Sequence, residues 1–299
     1  MELRPPRLLG VLTGVGIVLG ILLLTGSLLL RLNGVPLSLY SFSLALVVVC
    51  LLFLLPLFAY WTYGCWSLRY RVDRNALTIR WIGMEQVVPL SKVVAFVTGS
   101  QLRGRMRFRG VNWFGYHVGR GQVVGVGKAV FYATSRRPKE LLCLTTADMA
   151  YVISVKEPAR LVRNIRLRQG LGATKEVAQV ATGRTYLPFS LGRQPGALAM
   201  VMLALIFNIA LFGYVSYVYP SLPQLLPLHF TPFGQVDRVG PKVEVLWLPS
   251  MALAAWSANL FFGLYLYAKE RLGMYLCLGA SLLVQTVIWV AIIRLVVRV

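Results

Sequence analysis

Side chains able to bind metals or transfer protons are few in this chain, which has 2 histidines and 10 acidic residues among 299. His229 and Asp237 lie close together in the segment PLHFTPFGQVDR, between two apolar runs. An imidazole and a carboxylate could form an acid–base pair or bind a metal, but a usable metal site needs three or four ligands. The surrounding loop adds only Glu244, and its prolines and glycines are typical of turns. We therefore predict a folded connection, able to serve as a recognition surface, without a metal site or a catalytic pair.

Other candidates for catalysis also have the wrong spacing. The segment HVGRGQVVGVG lacks the G-K-[ST] ending of a phosphate-binding loop, so it predicts a flexible loop in which His117 is structural or solvated. The cysteines are scattered, which predicts neither a disulfide framework nor a zinc site: Cys50, Cys65, Cys143 and Cys277. The sequence contains no H-E-x-x-H motif, no G-x-S-x-G motif and no intramembrane pair of carboxylates. We predict a non-enzymatic protein without a cofactor.

A row of arginines in the segment LRGRMRFRG has a spacing that suits contact with anions. On an extended strand, guanidiniums at every second position point to one face about 6 to 7 Å apart, and this applies to Arg103, Arg105, Arg107 and Arg109. Such a row could contact anionic lipid headgroups. Each cation near a membrane contributes about 1 kcal/mol to the free energy of this binding. The alternative is a solvated loop whose charge serves solubility or topology. No nucleic-acid-binding motif surrounds the arginines, so we predict membrane lipids as the partner and no nucleic acid.

The elements that must position these residues are membrane spans. The chain is 57% hydrophobic and only 14% charged, which is too apolar for an ordinary soluble protein. Crossing a hydrocarbon core about 30 Å thick takes about 20 helical residues, and runs of this length cover residues 8–30, 40–63, 197–218, 245–266 and 274–293. The first run could instead be a signal peptide, but its apolar core is too long and no cleavage site follows, so we expect an anchor.

Positive charge is concentrated between the second and third spans. Residues 64–194 carry 22 Lys and Arg against 6 Asp and Glu, which is +16 of the chain's net +21. Basic residues that flank the spans favour the same side, so the positive-inside rule predicts that this domain and the N-terminus are cytoplasmic. We expect a two-helix anchor (1–63), a cytoplasmic domain (64–168), a basic linker (169–194), and a three-helix membrane unit (195–299) with a folded outer loop (220–244).

The cytoplasmic domain has the pattern of strands followed by one helix. Runs of Val, Ile, Tyr, Phe and Thr predict two strands around a DRNA turn and further strands in QVVPLSKVVAFV, KAVFYAT, ELLCLTT and AYVISV. The segment SVKEPARLVRNIRLRQ then predicts a basic amphipathic helix with Leu161, Val162 and Ile165 on one face. Ser154 and Glu157 have the spacing of a capping box at its start. A small β-barrel or sandwich with a terminal helix follows.

These segments resemble two known families. YRVDRNALTIRW, PLSKVVAF, GKAVFYAT and LLCLTTADMAYVISVKEPARLVRNI resemble the bacterial pleckstrin-homology-like domain, which implies a bent antiparallel barrel closed by the C-terminal helix. The segment YPSLPQLLPLHFTPFGQVDRVGPK is similar to a short domain of unknown function that also occurs in immunity proteins against the sporulation-delaying toxin. Its motif is matched by Pro223, Pro227, His229, Phe230, Gly234 and Asp237, with Lys242 beyond. Neither family carries a known catalytic residue set, so the resemblance implies architecture rather than chemistry.

Three amides lie near the middle of the last three predicted spans: Asn208, Asn259 and Gln285. An unpartnered amide at the bilayer centre costs several kcal/mol, so we expect all three to turn inward and hydrogen-bond across helices. The alternative is that each amide bonds its own helix backbone or a neighbouring serine. A transporter would place a hydrated cavity here, near Ser257 and Thr286, whereas a scaffold would pack the amides without water.

The sequence therefore predicts a polytopic α-helical protein of the bacterial inner membrane, with five transmembrane helices and an inserted pleckstrin-homology-like domain. We expect a non-enzymatic role in sensing, scaffolding or envelope protection. One alternative is a small membrane transporter. A second is an accessory subunit of a larger membrane complex, with protein partners in the membrane, because its spans are rich in Gly, Leu and Val.

Overall fold

The computed structural model describes residues 1–99, 106–182, 194–230, 235–267 and 270–297. Long helices form where the apolar runs predicted spans: α1 (Leu8–Leu32), α2 (Leu39–Ser67), α4 (Pro195–Val218), α5 (Trp247–Tyr267) and α6 (Arg271–Val297), with the short helix α3 (Pro158–Gly170) between α2 and α4. The five long helices are apolar enough to cross a membrane. The prediction of a membrane protein with transmembrane helices is confirmed.

The chain divides into two compact units. The first contains Met1–Thr25 and Leu51–Tyr186, and the second contains Gly26–Cys50 and Leu187–Val299. The β-sheet domain, with the start of α1 and the end of α2, belongs to the first unit. Helices α4 to α6 belong to the second.

The first sheet of the β-sheet domain is antiparallel. It contains β1 (Glu2–Leu3), β2 (Arg69–Val72), β3 (Ala76–Trp81), β4 (Met84–Pro89) and β11 (Val180–Thr182), in the order β1-β2-β3-β4-β11. The DRNA turn joins β2 to β3 as predicted, and its Asp73 carboxylate accepts the backbone N–H groups of Asn75 and Ala76 at 2.8 and 2.7 Å. Strand β1 was not anticipated, and β11 lies inside the segment expected to be a basic linker.

The second sheet contains β5 (Val93–Thr98), β6 (Met106–Trp113), β7 (Tyr116–Val123), β8 (Gly127–Ala133), β9 (Leu141–Thr146) and β10 (Ala150–Ser154). Its order is β5-β9-β10-β8-β7-β6, with β10 and β8 parallel and the other neighbours antiparallel. The closed barrel implied by the resemblance is not formed, because the described strands make two separate sheets.

Both sheets and α3 contribute to one hydrophobic core. Its fully buried aromatic side chains are Tyr70 on β2 and Tyr151 on β10, and α3 adds Leu161 and Ile165 from the face predicted by its sequence. The Tyr70 hydroxyl donates to the carbonyl of Tyr132 at 2.5 Å, and burial raises the pKa of Tyr70 above its ordinary value. The helix therefore covers the sheets by apolar packing, while its arginines remain outside.

Two local predictions in this domain are wrong. Ser154 does not cap α3: its hydroxyl accepts the N–H groups of Thr134 and Ser135 at 3.1 Å each, and Glu157 precedes the helix without a side-chain cap. The glycine-rich segment that starts at His117 is not a flexible loop either, because most of it forms β7 between β6 and β8. Gly119 is needed there because a Cβ would contact the Arg109 carbonyl of the neighbouring strand.

In the second unit, α6 packs against both α4 and α5 around Leu211, Val215, Ala252 and Ile292. Between α4 and α5, β12 (Leu225–Phe230) and β13 (Val236–Pro241) form an antiparallel hairpin with irregular register near His229. This hairpin is the folded connection predicted between the two spans.

Candidate functional site

The predicted arginine row is only partly within the described residues. Arg103 and Arg105 lie outside them, and Arg107 is described only as backbone on β6. Arg109 is exposed on the same strand and lies directly opposite Arg120 on β7. Like charges in directly opposed positions of an antiparallel pair repel, so a bound anion would relieve this pair.

Most of the predicted loop residues lie on the β12–β13 hairpin. Pro227, His229 and Phe230 are on β12, Asp237 is on exposed β13, Pro223 precedes the hairpin, and Gly234 lies outside the described residues. Arg238, rather than Asp237, is the register partner of His229. Arg238 also donates to the Glu244 carboxylate at 2.9 Å. Within the described chain, no group of three His, Cys, Asp or Glu side chains could hold a metal ion.

Two of the three predicted amides meet. Asn208 on α4 is 2% exposed, and its amide donates to Gln285 on α6 at 3.4 Å and to the Pro249 carbonyl of α5 at 3.1 Å. Gln285 is 0% exposed and donates to the Ala252 carbonyl at 3.2 Å. Asn259 is partly exposed, and none of the described hydrogen bonds links it to the other two. The pair thus links α4 to α6 and is bonded to two backbone carbonyls of α5.

A basic groove of about 1220 Å³ lies in the first unit, where the N-terminal segment enters α1. Its wall is formed by the end of β6, the start of β7 and the segment after β8, facing residues before and in the first turn of α1. Five basic side chains and one acidic side chain line it: Arg4, Arg7, Arg136, Arg137, Lys156 and Glu140. Glu140 offsets Arg137 at 3.6 Å, so a surplus of positive charge remains.

A hydrogen-bonded chain of three side chains forms one side of the groove. Arg136 donates to the Asn112 amide oxygen at 2.6 Å, and His117 Nδ1 lies 2.8 Å from the same oxygen. Burial, and then the nearby Arg136, lowers the pKa of His117 from 6.5 to about 4. His117 is therefore neutral at pH 7, and since an amide oxygen only accepts, its Nδ1 carries the proton. These two hydrogen bonds hold the Arg136 guanidinium in place without a carboxylate.

Two buried polar atoms of residues that line the groove lack a hydrogen-bond partner among the described residues. Thr134 is 2% exposed and lines the groove, and neither its hydroxyl nor the Trp113 indole N–H has a hydrogen-bond partner among the described residues. Buried polar groups without partners are rare in proteins and cost free energy until a ligand or water satisfies them. Both atoms belong to groups that can donate a hydrogen bond, so they fit an acceptor-rich ligand.

Arg7 adds a charge at the end of the groove next to α1 and α2. Its guanidinium donates to the Trp66 carbonyl near the end of α2 and lies 4.3 Å over the Trp66 ring. Burial, followed by the charges of Arg4 and Arg69, lowers the pKa of Arg7. An arginine stays protonated even so, because its ordinary pKa lies far above neutrality. The groove therefore ends in a fixed cation beside the start of α1 and the end of α2.

The β6–β7 hairpin is fixed against the same two helices. Its two-residue turn, Phe114–Gly115, brings the backbone of Gly115 against the backbone of Gly10 in α1, and a Cβ on either glycine would overlap the other residue. Trp113 packs on α2, with its ring 6.0 Å from the rings of both Phe58 and Trp61. These contacts position the β6 end of the groove.

Comparison with known families identifies the domain that carries the groove. Residues 68–169 match the family described as bacterial PH domain, and residues 206–253 match a domain of unknown function, DUF1648. Residues 68–169 therefore form a bacterial PH domain. Both resemblances stated from the sequence are confirmed. No match was found among curated proteins or among solved structures.

The PH domain thus supplies most of the groove, and the N-terminal segment supplies the rest. Sequence reasoning missed this site, because Arg4, Asn112, Thr134 and Lys156 come together only through strand pairing and the entry into α1. The available signal was the cluster of basic residues in SRRPKE, which follows a strand and precedes another. Chemically, the groove can bind an anion that accepts several hydrogen bonds.

Proposed function

We propose that this chain is a non-enzymatic protein of the bacterial inner membrane whose PH domain binds anionic lipid headgroups on the cytoplasmic side. The observation that carries the proposal is the basic groove at the start of α1, with its unpartnered Thr134 hydroxyl. A phosphate offers several acceptor oxygens and negative charge, which matches both features. The biological role that fits best is sensing, scaffolding or envelope protection through recognition of membrane lipid.

The lipid surface is favoured over a soluble anion by the position of the groove. Leu8 and Leu9 in the first turn of α1 line it and are exposed, so one end of the groove is apolar. A phospholipid combines a phosphate headgroup with acyl chains and matches a groove that is basic at one end and apolar at the other. The charges of Arg136 and Arg137 would each contribute about 1 kcal/mol to such binding.

The cytoplasmic orientation is part of the proposal and rests on the distribution of charge. The 22 basic residues against 6 acidic residues in 64–194 agree with the bias of the span flanks. A reporter that is active only in the cytoplasm should work when fused after Arg168 and fail when fused after Asp237. The reverse pattern would overturn the orientation.

The lipid proposal is tested by native purification of the full chain and mass spectrometry of the lipids that co-purify. The variant Arg136→Gln with Arg137→Gln removes two exposed groove cations, and Lys139→Gln with Arg163→Gln removes two exposed cations that do not line the groove. The groove variant should weaken anionic lipid binding by roughly 2 kcal/mol, or about thirtyfold.

The control pair should retain binding apart from a small loss that disappears at high salt, because exposed charges are screened. Equal loss in both variants would reduce the effect to net charge. Retention of anionic lipid by the groove variant would overturn the proposed site.

A further inference from the structure

We propose that the tip of the β6–β7 hairpin penetrates the bilayer interface, with the Phe114 side chain in contact with lipid acyl chains. This goes beyond headgroup binding in the groove, since it concerns the depth of the PH domain rather than its charge. The proposal rests on contacts that are independent of the groove, namely those of the hairpin with α1 and α2.

The polar boundary of both helices is marked by one pair of residues. Arg7 is the last charged residue before α1, whose apolar sequence starts at Leu8. Its guanidinium donates to the Trp66 carbonyl, one residue before α2 ends at Ser67. Arg7 and Trp66 therefore lie at the same level, which in this proposal is the outer boundary of the headgroup layer that α1 enters and α2 leaves.

The aromatic contacts of the hairpin lie on the membrane side of that level. Trp113 packs on Trp61 and Phe58, five and eight residues before Trp66 in α2. At 1.5 Å per helical residue, these two rings are about 7.5 and 12 Å further along the helix toward the membrane. The headgroup layer on each side of a bilayer is only about 5 to 7 Å thick. Trp113 therefore lies near the edge of the hydrocarbon.

The contact with α1 gives the same depth independently. Gly115 touches Gly10, three residues after Arg7, and Gly14 packs against Thr62 of α2 one turn further on. Each contact leaves no room for a side chain, so the hairpin and the two helices are held at this level. The hairpin tip thus lies on the membrane side of Arg7 on both helices.

Phe114 is the side chain that this arrangement leaves open. It is 78% exposed at the turn, although its neighbours Trp113 and Tyr116 are packed. The strand pairing of Trp113 with Tyr116 satisfies the backbone next to the turn, which is the condition for non-helical chain at membrane depth. An exposed phenylalanine at this depth has acyl chains as its natural partner, because burial of its ring is favourable and water is scarce there.

Insertion of the tip also accounts for the position of the paired arginines. Arg109 lies four residues before Trp113, which is about 13 Å along the strand. With Trp113 near the edge of the hydrocarbon, the backbone of Arg109 and of its opposite Arg120 lies just beyond the headgroup layer, and their long side chains can extend back to the lipid phosphates. The hairpin therefore has an apolar tip and a cationic shaft, the order in which a bilayer presents acyl chains and phosphates.

Photocrosslinking of the full chain in lipid nanodiscs tests the depth. Benzoylphenylalanine replaces Phe114 in one variant, Leu171 after α3 in a negative control, and Leu23 within α1 in a positive control; all three side chains are exposed. After illumination, covalent lipid adducts are counted by intact mass. Position 114 should give at least about tenfold more lipid adduct than position 171 and approach position 23.

The lipid composition separates this proposal from headgroup binding. The same yield is expected at position 114 in nanodiscs of phosphatidylcholine alone and in nanodiscs that contain phosphatidylglycerol, because insertion depends on acyl chains. Failure of the groove variant to lose anionic lipid would leave this result untouched. A yield at 114 no higher than at 171, while position 23 crosslinks, would overturn the insertion.

A second measurement guards against a variant that misfolds. Because Phe114 is exposed, Phe114→Trp should preserve the fold, and brominated lipid should quench the added fluorescence relative to the unmodified chain. If brominated lipid does not quench the added tryptophan in a variant whose elution volume and melting midpoint are unchanged, the proposal is also overturned.

Discussion

The contact between Gly10 and Gly115 gives the sharpest test of how the PH domain is fixed to its anchor. A Cβ on Gly10 would overlap the Gly115 carbonyl and lie 2.7 Å from the Cys65 sulfur, closer than real contacts allow. A Cβ on Gly115 would overlap the Gly10 backbone. Neither position can accept alanine without moving the hairpin away from α1. We therefore predict that Gly10→Ala and Gly115→Ala both destabilise the protein.

The size of the effect follows from two matched controls. In a helix alanine is more favourable than glycine by about 1 kcal/mol, so Gly16→Ala, in open space on the same helix, should be neutral or stabilising. Gly10→Ala gains the same propensity but adds an overlap with backbone atoms that costs up to about 3 kcal/mol, which exceeds this gain. Gly115 and Gly125 have φ of +77° and +83°. Of these two positions, only Gly115 has other atoms within 4 Å of the place that a Cβ would occupy. Both alanine variants carry the backbone cost of about 1 to 2 kcal/mol, and the excess for Gly115→Ala measures the contact.

The assay is thermal unfolding of the full chain in detergent, followed by tryptophan fluorescence. Trp113 and Trp61 lie against each other beside the contact, so two of the chain's 7 tryptophans report separation of the hairpin from α2. Unfolding in detergent need not be reversible, so variants are compared at one scan rate. Equal midpoints for Gly10→Ala and Gly16→Ala, or for Gly115→Ala and Gly125→Ala, would refute the reasoning.

Three further predictions concern buried side chains. His117 has a pKa near 6.5 in the unfolded state and about 4 in the folded state, so the unfolded state binds the proton more tightly. The free energy of unfolding should therefore fall by up to about 3 kcal/mol as the pH drops from 6.5 to 4. His117→Gln should flatten this part of the profile of stability against pH, and an unchanged profile would contradict the prediction. Asn208→Leu should lower the melting midpoint by leaving Gln285 less well bonded, whereas Asn259→Leu should change it little; equal shifts would contradict the pairing. Burial raises the pKa of Cys143 to about 11, so this thiol should react with a polar maleimide only after unfolding, and rapid native labelling at pH 7.5 would contradict it.

The spans could be predicted from the sequence because hydropathy over about 20 residues reports a property of the whole segment. The amides show where that information stops. Their depth followed from position in each span, but their rotation about the helix axis depends on packing. The partners that α5 supplies are the carbonyls of Pro249 and Ala252 rather than the side chain of Asn259. A carbonyl is present at every residue, so no sequence pattern distinguishes these two.

The errors in the PH domain have a related cause. Glycines usually mark loops, yet in β7 they allow close approach of the neighbouring strand, as the Gly119 contact with the Arg109 backbone shows. Ser154 and Glu157 have the spacing of a helix cap, but the Ser154 hydroxyl binds the N–H groups of Thr134 and Ser135 instead. Local patterns were overridden where a long-range partner was better placed. The groove consists of such long-range contacts, and its only local signal was the basic segment SRRPKE.

Positive charge in the first unit is crowded in a way that folding alone does not favour. Arg109 and Arg120 face each other across β6 and β7, and burial together with Arg4 and Arg69 lowers the pKa of Arg7. Like charges held close destabilise the folded state, whereas an anion between them turns repulsion into attraction. The binding free energy of an anion then includes relief of this repulsion, so the arginines that weaken the empty domain strengthen the occupied one. We infer that these positions serve binding at the membrane surface rather than stability of the PH domain.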